Sequence, residues 1–358
     1  MNAARPADAS GAAGEGGPFD AARAVEPASR DALDILTDWA VRDLAWLLFS
    51  ADLLRAQPPL APLAQLWADA GGPDAARDWL VRLDRDPARL HEALAAAPTT
   101  RLGRYAENLL GWFLANGPAA RLVAQNVALR HAGRTLGECD FLVQSRSGER
   151  LHWELAVKFY LHVGAGDAGA SLADYVGPNL RDRFDLKLAH LREHQLRLTE
   201  REEFASLGLG GPWPAQMLVK GRLFYRAGEV MPSPVQDAPE LAADHGRGWW
   251  VTRSEWPAFA QRQAASGWCA LPRLAWLAPR TLPRDAAQPG GDAILTALAA
   301  PADPETLLAA LTRPHDPALV AAFMADSAGG YRECSRGFIV PDDWPELAAE
   351  YARQQDRR

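Results

Sequence analysis

The sequence predicts an α/β protein with a mixed central β-sheet, flanking helices and a helical extension ahead of the sheet. Three observations carry this reading. Residues 134–163 alternate apolar and polar on both sides of a tight turn at Arg146-Ser147-Gly148-Glu149, as two paired strands do. Stretches 30–56, 101–115 and 179–200 instead repeat their apolar residues at helical spacing. Short apolar runs at 217–225, 249–251 and 268–276 supply further strands.

Residues 1–28 are rich in Ala, Gly and Pro and are expected to be a disordered tail. Residues 29–98 read as a helical N-terminal extension, with Leu33, Ile35, Trp39, Val41, Leu44, Leu47 and Leu48 on helical spacing and a second helical region at 73–96 broken by Pro87. Residues 99–280 form the expected core. Thr99 and Thr100 can cap its first helix, which ends at Asn116-Gly117-Pro118. A strand at 122–130, a turn at His131-Ala132-Gly133 and the two strands of 134–163 complete a meander. A loop at 164–178 and one continuous helix over 179–200 follow. Residues 281–358 read as a smaller C-terminal appendage, with short helices near 303–312 and 315–326, an apolar run at 337–340 and a last helix after Pro341.

At 358 residues and 48% hydrophobic content the chain can bury a sizeable core. Its net charge of −7 argues against coating nucleic acid by bulk electrostatics, without excluding an enzyme that acts on it. The three cysteines, Cys139, Cys269 and Cys334, have neither disulfide nor CxxC spacing, which fits a reducing cytoplasm. The N-terminus has no apolar signal region and no stretch is long and apolar enough to span a bilayer, so neither export nor a membrane partner is expected.

The chemistry gathers on the central strands. Along the second strand Trp153, Leu155, Val157, Phe159, Leu161 and Val163 share one face, and His152, Glu154, Ala156, Lys158, Tyr160 and His162 the other. On the first, Cys139, Phe141 and Val143 alternate with Glu138, Asp140, Leu142 and Gln144, so Asp140 can look onto the same side as Glu154. Glu107 falls between Gly103, Leu110, Gly111 and Leu114 on its helix, away from the polar side that holds Arg101, Arg104 and Asn108, and a buried carboxylate there needs a partner. Without further context, Asp140 and Glu154 can equally form a buried structural ion pair with Lys158 or an arginine. Histidines 152 and 162 lack ligand spacing, Trp249-Trp250 reads as core, and Cys139 as a packed residue opposite Asp140. No Walker loop, GxSxG elbow or GxGxxG sequence is present.

A helix bearing an acid, then Asp140 and, 14 residues on, Glu154 followed by a lysine, is the order of the PD-(D/E)XK nuclease superfamily. More closely, the chain resembles a bacterial family catalogued as domain of unknown function 1853, itself placed with those nucleases. That resemblance is carried by GRYAENLLGWFL (103–114), GECDFLV (137–143), HWELAVKFYLH (152–162), GPNLRDRFDLKLAHLREHQL (177–196), KGRLFY (220–225) and RGFIVPDDW (336–344). It implies a restriction-endonuclease-like sheet and Mg²⁺- or Mn²⁺-dependent hydrolysis of phosphodiester bonds in DNA or RNA. Asp140, Glu154 and the Ala156 backbone carbonyl would be metal ligands, Glu107 would hold metal-bound water or a second ion, and Lys158 would orient the nucleophile. Arg181, Arg183, Lys187 and Gln195 would meet phosphate oxygens. Many enzymes on this fold work as homodimers. The pattern departs twice: Cys139 replaces a proline, and Ala156 occupies the lysine position, the lysine following two residues later and about 7 Å along the strand. The alternative is a catalytically inactive nuclease-fold module that binds nucleic acid or protein.

Overall fold

The computed structural model describes residues 32–56, 63–67, 72–164, 169–227, 236–283, 298, 300–327 and 329–354. The expected tail at 1–28, and most of the linker-like stretch at 280–292, lie outside the described residues.

The lead-in is helical. Helix α1 (Trp39–Phe49) starts where Asp38 accepts the amides of Ala40 and Val41, so it is shorter than the periodicity over 30–56 suggests. Helices α2 (Gly72–Arg85) and α3 (Ala88–Ala96) part at Pro87, whose ring cannot continue a helix. Helix α4 (Leu102–Asn116) follows. Its N-cap is Arg101, with no side-chain cap; Thr99 instead accepts the Arg101 amide at 3.1 Å.

Among the described residues ten strands form one sheet in the order β1-β2-β3-β5-β6-β10-β9-β7, with β4 beside β3 and β8 beside β10. Strands β1 (Arg121–His131), β2 (Arg134–Gln144) and β3 (Arg150–His162) are the expected antiparallel meander. The short β4 (Tyr175–Val176) pairs with the far end of β3. The chain then crosses through α5 (Phe184–Glu193), a 3-10 segment (Gln195–Glu200) and α6 (Glu202–Ala205) to β5 (Ala215–Arg226), which runs parallel to β3 over ten residue pairs. Strand β6 (Arg247–Thr252) is parallel to β5. Helix α7 (Trp256–Gln261), β7 (Gly267–Ala270), β8 (Thr281–Leu282) and α8 (Pro304–Ala310) lead to β9 (Ala318–Ala325), β10 (Tyr331–Val340) and α9 (Trp344–Arg353). The architecture is therefore mixed α/β.

Three expected elements differ. The helix expected over 179–200 breaks at His194, after which the backbone tightens into 3-10 turns. The strand expected over 268–276 stops at Ala270, because Pro272 opens a 3-10 turn at Arg273–Ala275. The helix expected over 315–326 is strand β9. Its alanines favour a helix locally, yet it is paired on one edge by β10 and on the other by β7, and that burial overrides propensity.

The two faces of β3 are both covered, which explains its near-continuous burial. Trp153, Leu155, Phe159 and Leu161 join Leu44, Leu47, Leu109 and Phe113 of α1 and α4 in the larger core. On the opposite face Ala156 and Tyr160 pack with Phe184, Leu188 and Leu191 of α5. Trp249 and Trp250 are buried, as core residues should be. Strict alternation fails at Cys139, which shares a small cluster with Leu142 and Leu198 rather than joining Phe141 and Val143. It lies where β2 has lost its ladder to β3, so only β1 holds the pleat there. No described helix is long and apolar enough to cross a membrane.

Candidate active site

The β2–β3 ladder runs from Gln144↔Arg150 to Phe141↔Trp153 and stops. Asp140 and Glu154 are the next residues on each strand, and their carboxylates take over the amides that the ladder leaves open. Glu154 Oε1 accepts the Asp140 amide at 3.2 Å, and Asp140 Oδ2 accepts the Leu155 amide at 2.9 Å. The two acids therefore meet in the gap between the strands, with Glu154 fully buried and Asp140 8% exposed. Helix α4 packs on one face of β3 and α5 on the other, so Glu107 and Lys187 approach this gap from opposite sides.

Charge in the gap is unbalanced. Burial and the nearby Glu154 push Asp140 up to about 7, and burial pushes Glu154 up to about 8. Burial and the Asp140 charge raise Glu107 to about 7. Arg104 Nη1 lies 2.9 Å from Glu107 Oε2 but is not aligned as a hydrogen bond, and its guanidinium also reaches Asn126 at 2.8 Å and Glu138 at 3.2 Å. His152 Nε2 sits 2.7 Å from Glu154 Oε1. This is a hydrogen bond rather than an ion pair, because burial pulls the imidazole down to about 4 and keeps it neutral.

The lysine linked to these acids is Lys187, not Lys158. Lys187 Nζ donates to Gln195 Oε1 at 3.1 Å, and Gln195 Nε2 donates to Glu154 Oε2 at 2.9 Å, so one amide links the ammonium to the buried carboxylate. This link spans the break at His194, so a continuous helix is not needed to bring Lys187 and Gln195 together. Lys187 lowers both Glu107 and Glu154, while burial and the neighbouring Lys158 charge lower Lys187 itself. Lys158 lies on the expected face of β3 but pairs with Asp182, which also accepts from Tyr160 at 3.1 Å. Ala156 is buried opposite Val219. Arg183 is 5% exposed and held by Asp185 at 2.7 Å and by the Gln354 carbonyl at 2.9 Å, so it anchors the end of α9 to α5. Arg181 is exposed.

Glu107, Asp140, Glu154, Lys187 and Gln195 thus converge, whereas Lys158 and Arg183 are committed elsewhere. Sequence reasoning passed over Asp182, His152 as a Glu154 partner, and the Arg104–Asn126–Glu138 group. The only signal for Asp182 is its charge in a loop, since its partner is 24 residues away in sequence.

Among the described residues no three His, Cys, Asp or Glu side chains are placed to hold a metal ion. The donors present are nonetheless hard carboxylate oxygens, and Mg²⁺ is commonly held by one or two carboxylates with waters filling its octahedron. Two buried acids raised above their ordinary range are also what a nearby cation would relieve. A hard divalent cation is the class of ion that such oxygens would take.

A family model described as a domain of unknown function, DUF1853, matches residues 42–340. The chain belongs to the DUF1853 family. The matched region runs from α1 to the end of β10 and so includes every residue of the gap. Neither curated proteins nor solved structures give a match to this DUF1853 chain.

Proposed function

We propose that this DUF1853 protein is a Mg²⁺- or Mn²⁺-dependent phosphodiesterase of the nuclease type, acting on nucleic acid. The observation that carries the reading is the convergence of Glu107, Asp140 and Glu154, from one helix and two parting strands, upon a gap that also feels the Lys187 charge. A bound cation would polarise the phosphate and lower the pKa of a coordinated water. Asp140 and Glu154 would hold it; the Ala156 carbonyl lies on the β5 edge of β3, the edge on which the His152 amide donates to the Pro214 carbonyl, and so faces away from the gap. Lys187, fixed by Gln195, orients the attacking water and offsets charge on the phosphate. Glu107 is poised near neutral pH to take a proton. Arg181, exposed in the loop beside β3, meets a phosphate farther along the bound chain. The fold expected for such chemistry is restriction-endonuclease-like, with a homodimer as its assembled form, and the three unpaired cysteines support a reducing cytoplasm.

One observation favours the rival, a non-catalytic binding module. Glu154 already accepts bonds from Asp140, His152 and Gln195, as a structural carboxylate would. Calorimetric titration with Mn²⁺ separates the two. The enzyme reading expects saturable binding that Asp140→Asn abolishes while the circular dichroism spectrum is retained. Nucleic-acid or protein binding that ignores both metal and substitution supports the module.

A further inference from the structure

Beside the acidic gap the molecule carries an open cleft of about 480 Å³, lined by Leu102 and Gly103 at the start of α4, by 157–160 of β3 and by Gly177, Pro178 and Arg181. Gly103 is one turn from Glu107, close enough that a Cβ there would lie 4.0 Å from Glu107 Oε1. A second cleft, of about 810 Å³, is lined by residues 310–318, Pro341 and Trp344. The two share Pro178, Asn179, Arg181 and Arg273, so they join as one groove from the start of α4 and the middle of β3 to the loop between α8 and β9.

The cations of this groove have few internal duties. Arg101 and Arg181 are exposed and have no ion pair among the described residues. Arg273 lies over the Trp276 ring at 4.9 Å, which leaves its donors toward solvent. Arg313 is 84% exposed and 3.7 Å from Asp316, a pair too solvated to fix it. Of the acids, Asp182 is taken by Lys158 and Tyr160, and Asp343 is exposed at the start of α9. On a chain of net charge −7, four exposed arginines, of which Arg313 alone lies near a carboxylate among the described residues, make this groove a local basic track suited to an anionic occupant.

We propose that this groove is the track of an unpaired nucleic-acid strand, whose phosphates Arg101, Arg181, Arg273 and Arg313 hold as the strand passes to or from the acidic gap. The proposal rests on the phosphodiesterase reading and adds to it a substrate form and a binding surface in the C-terminal part of the chain. Each cleft lies in the roughly 300–1,000 Å³ range of small-ligand sites, a size that suits single nucleotides of an unpaired strand. Planar guanidinium groups meet phosphate oxygens bidentately, and such contacts set position without reading sequence. Cleavage should therefore be sequence-tolerant and favour single-stranded or frayed ends.

The test uses the full chain with Asp140→Asn to suppress cleavage, and follows fluorescence anisotropy of a labelled strand of about 12 nucleotides over a salt series. Arg273→Glu with Arg313→Glu should raise Kd about tenfold or more and make the salt slope shallower by about 1.4, about 0.7 for each phosphate of a single strand no longer neutralised. Arg273→Gln with Arg313→Gln should give a smaller loss in the same direction. The same pairs on the otherwise unchanged chain should leave hydrolysis of bis(p-nitrophenyl) phosphate, too small to reach the groove, within about twofold. Strand affinity that ignores these reversals, or a blunt duplex bound as tightly as the strand, overturns the groove. If the small diester is still hydrolysed in that case, the phosphodiesterase reading stands; a folded chain that neither binds the strand nor hydrolyses the diester takes down both.

Discussion

Replacing Glu154 with Gln should separate a carboxylate kept for chemistry from one kept for structure. Unfolded, Glu154 holds its proton only below about 4.5; folded, burial lets it hold the proton up to about 8. Between those values the folded chain binds more protons than the unfolded one, so stability is full below about 4.5 and falls as pH rises through 8. A rise from about 4.5 to about 8 corresponds to about 4–5 kcal/mol. Wild-type protein should therefore lose about 3–5 kcal/mol between about pH 5 and pH 9, from this residue, in chelator. Glu154→Gln removes that loss, keeps an oxygen for the Asp140 amide, and lets Asp140 return toward its ordinary pKa, so it should be the more stable protein at high pH. Mg²⁺ at ten to a hundred times its Kd should restore about 1–3 kcal/mol to the wild type and nothing to the variant. Urea unfolding followed by circular dichroism, with and without Mg²⁺, reads all four states. A variant less stable than wild type at high pH, with neither protein answering to Mg²⁺, would show that Glu154 is a structural acceptor and not a metal ligand.

Further expectations rest on single contacts. Lys187→Met should lower the cleavage rate about 10²–10³-fold, whereas Lys158→Met, whose ammonium lies against Asp182, should cost under about tenfold; single-turnover kinetics compare them. Arg183→Met should destabilise by about 2–4 kcal/mol in thermal unfolding, because it strands Asp185 and frees the carbonyls at the end of α9. Gly221→Ala should cost roughly 3 kcal/mol or more and impair cleavage too. Its φ of +151° suits glycine, and a Cβ there would fall 1.7 Å from the Lys158 carbonyl oxygen and push β3 away from β5.

The meander was legible because β3 is covered on both faces and period two survives along its whole length. Glu107, Asp140 and Glu154 were legible for a related reason: a carboxylate at a position flanked by buried neighbours announces itself by its cost. Lys158 misled because alternation gives the face of a side chain and not its reach, and Asp182 arrives from a loop that no local pattern connects to β3. Lys187 is expected to meet phosphate from a long helix; its link through Gln195 to Glu154 depends on how α5 docks, which only the tertiary packing decides. Strand β9 was illegible because Ala-Leu-Val-Ala-Ala suits a helix until two neighbouring strands claim both its edges.

Hydrolysis of phosphodiesters at the gap between β2 and β3, as proposed, is open to a direct test. The direct measurement is incubation of end-labelled single-stranded DNA and RNA with full-length protein and Mg²⁺ or Mn²⁺, resolved on a denaturing gel. Shortened products that need the metal and vanish in Asp140→Asn and Glu154→Gln are the predicted result; intact strands under every combination, from protein shown to be folded, would contradict it.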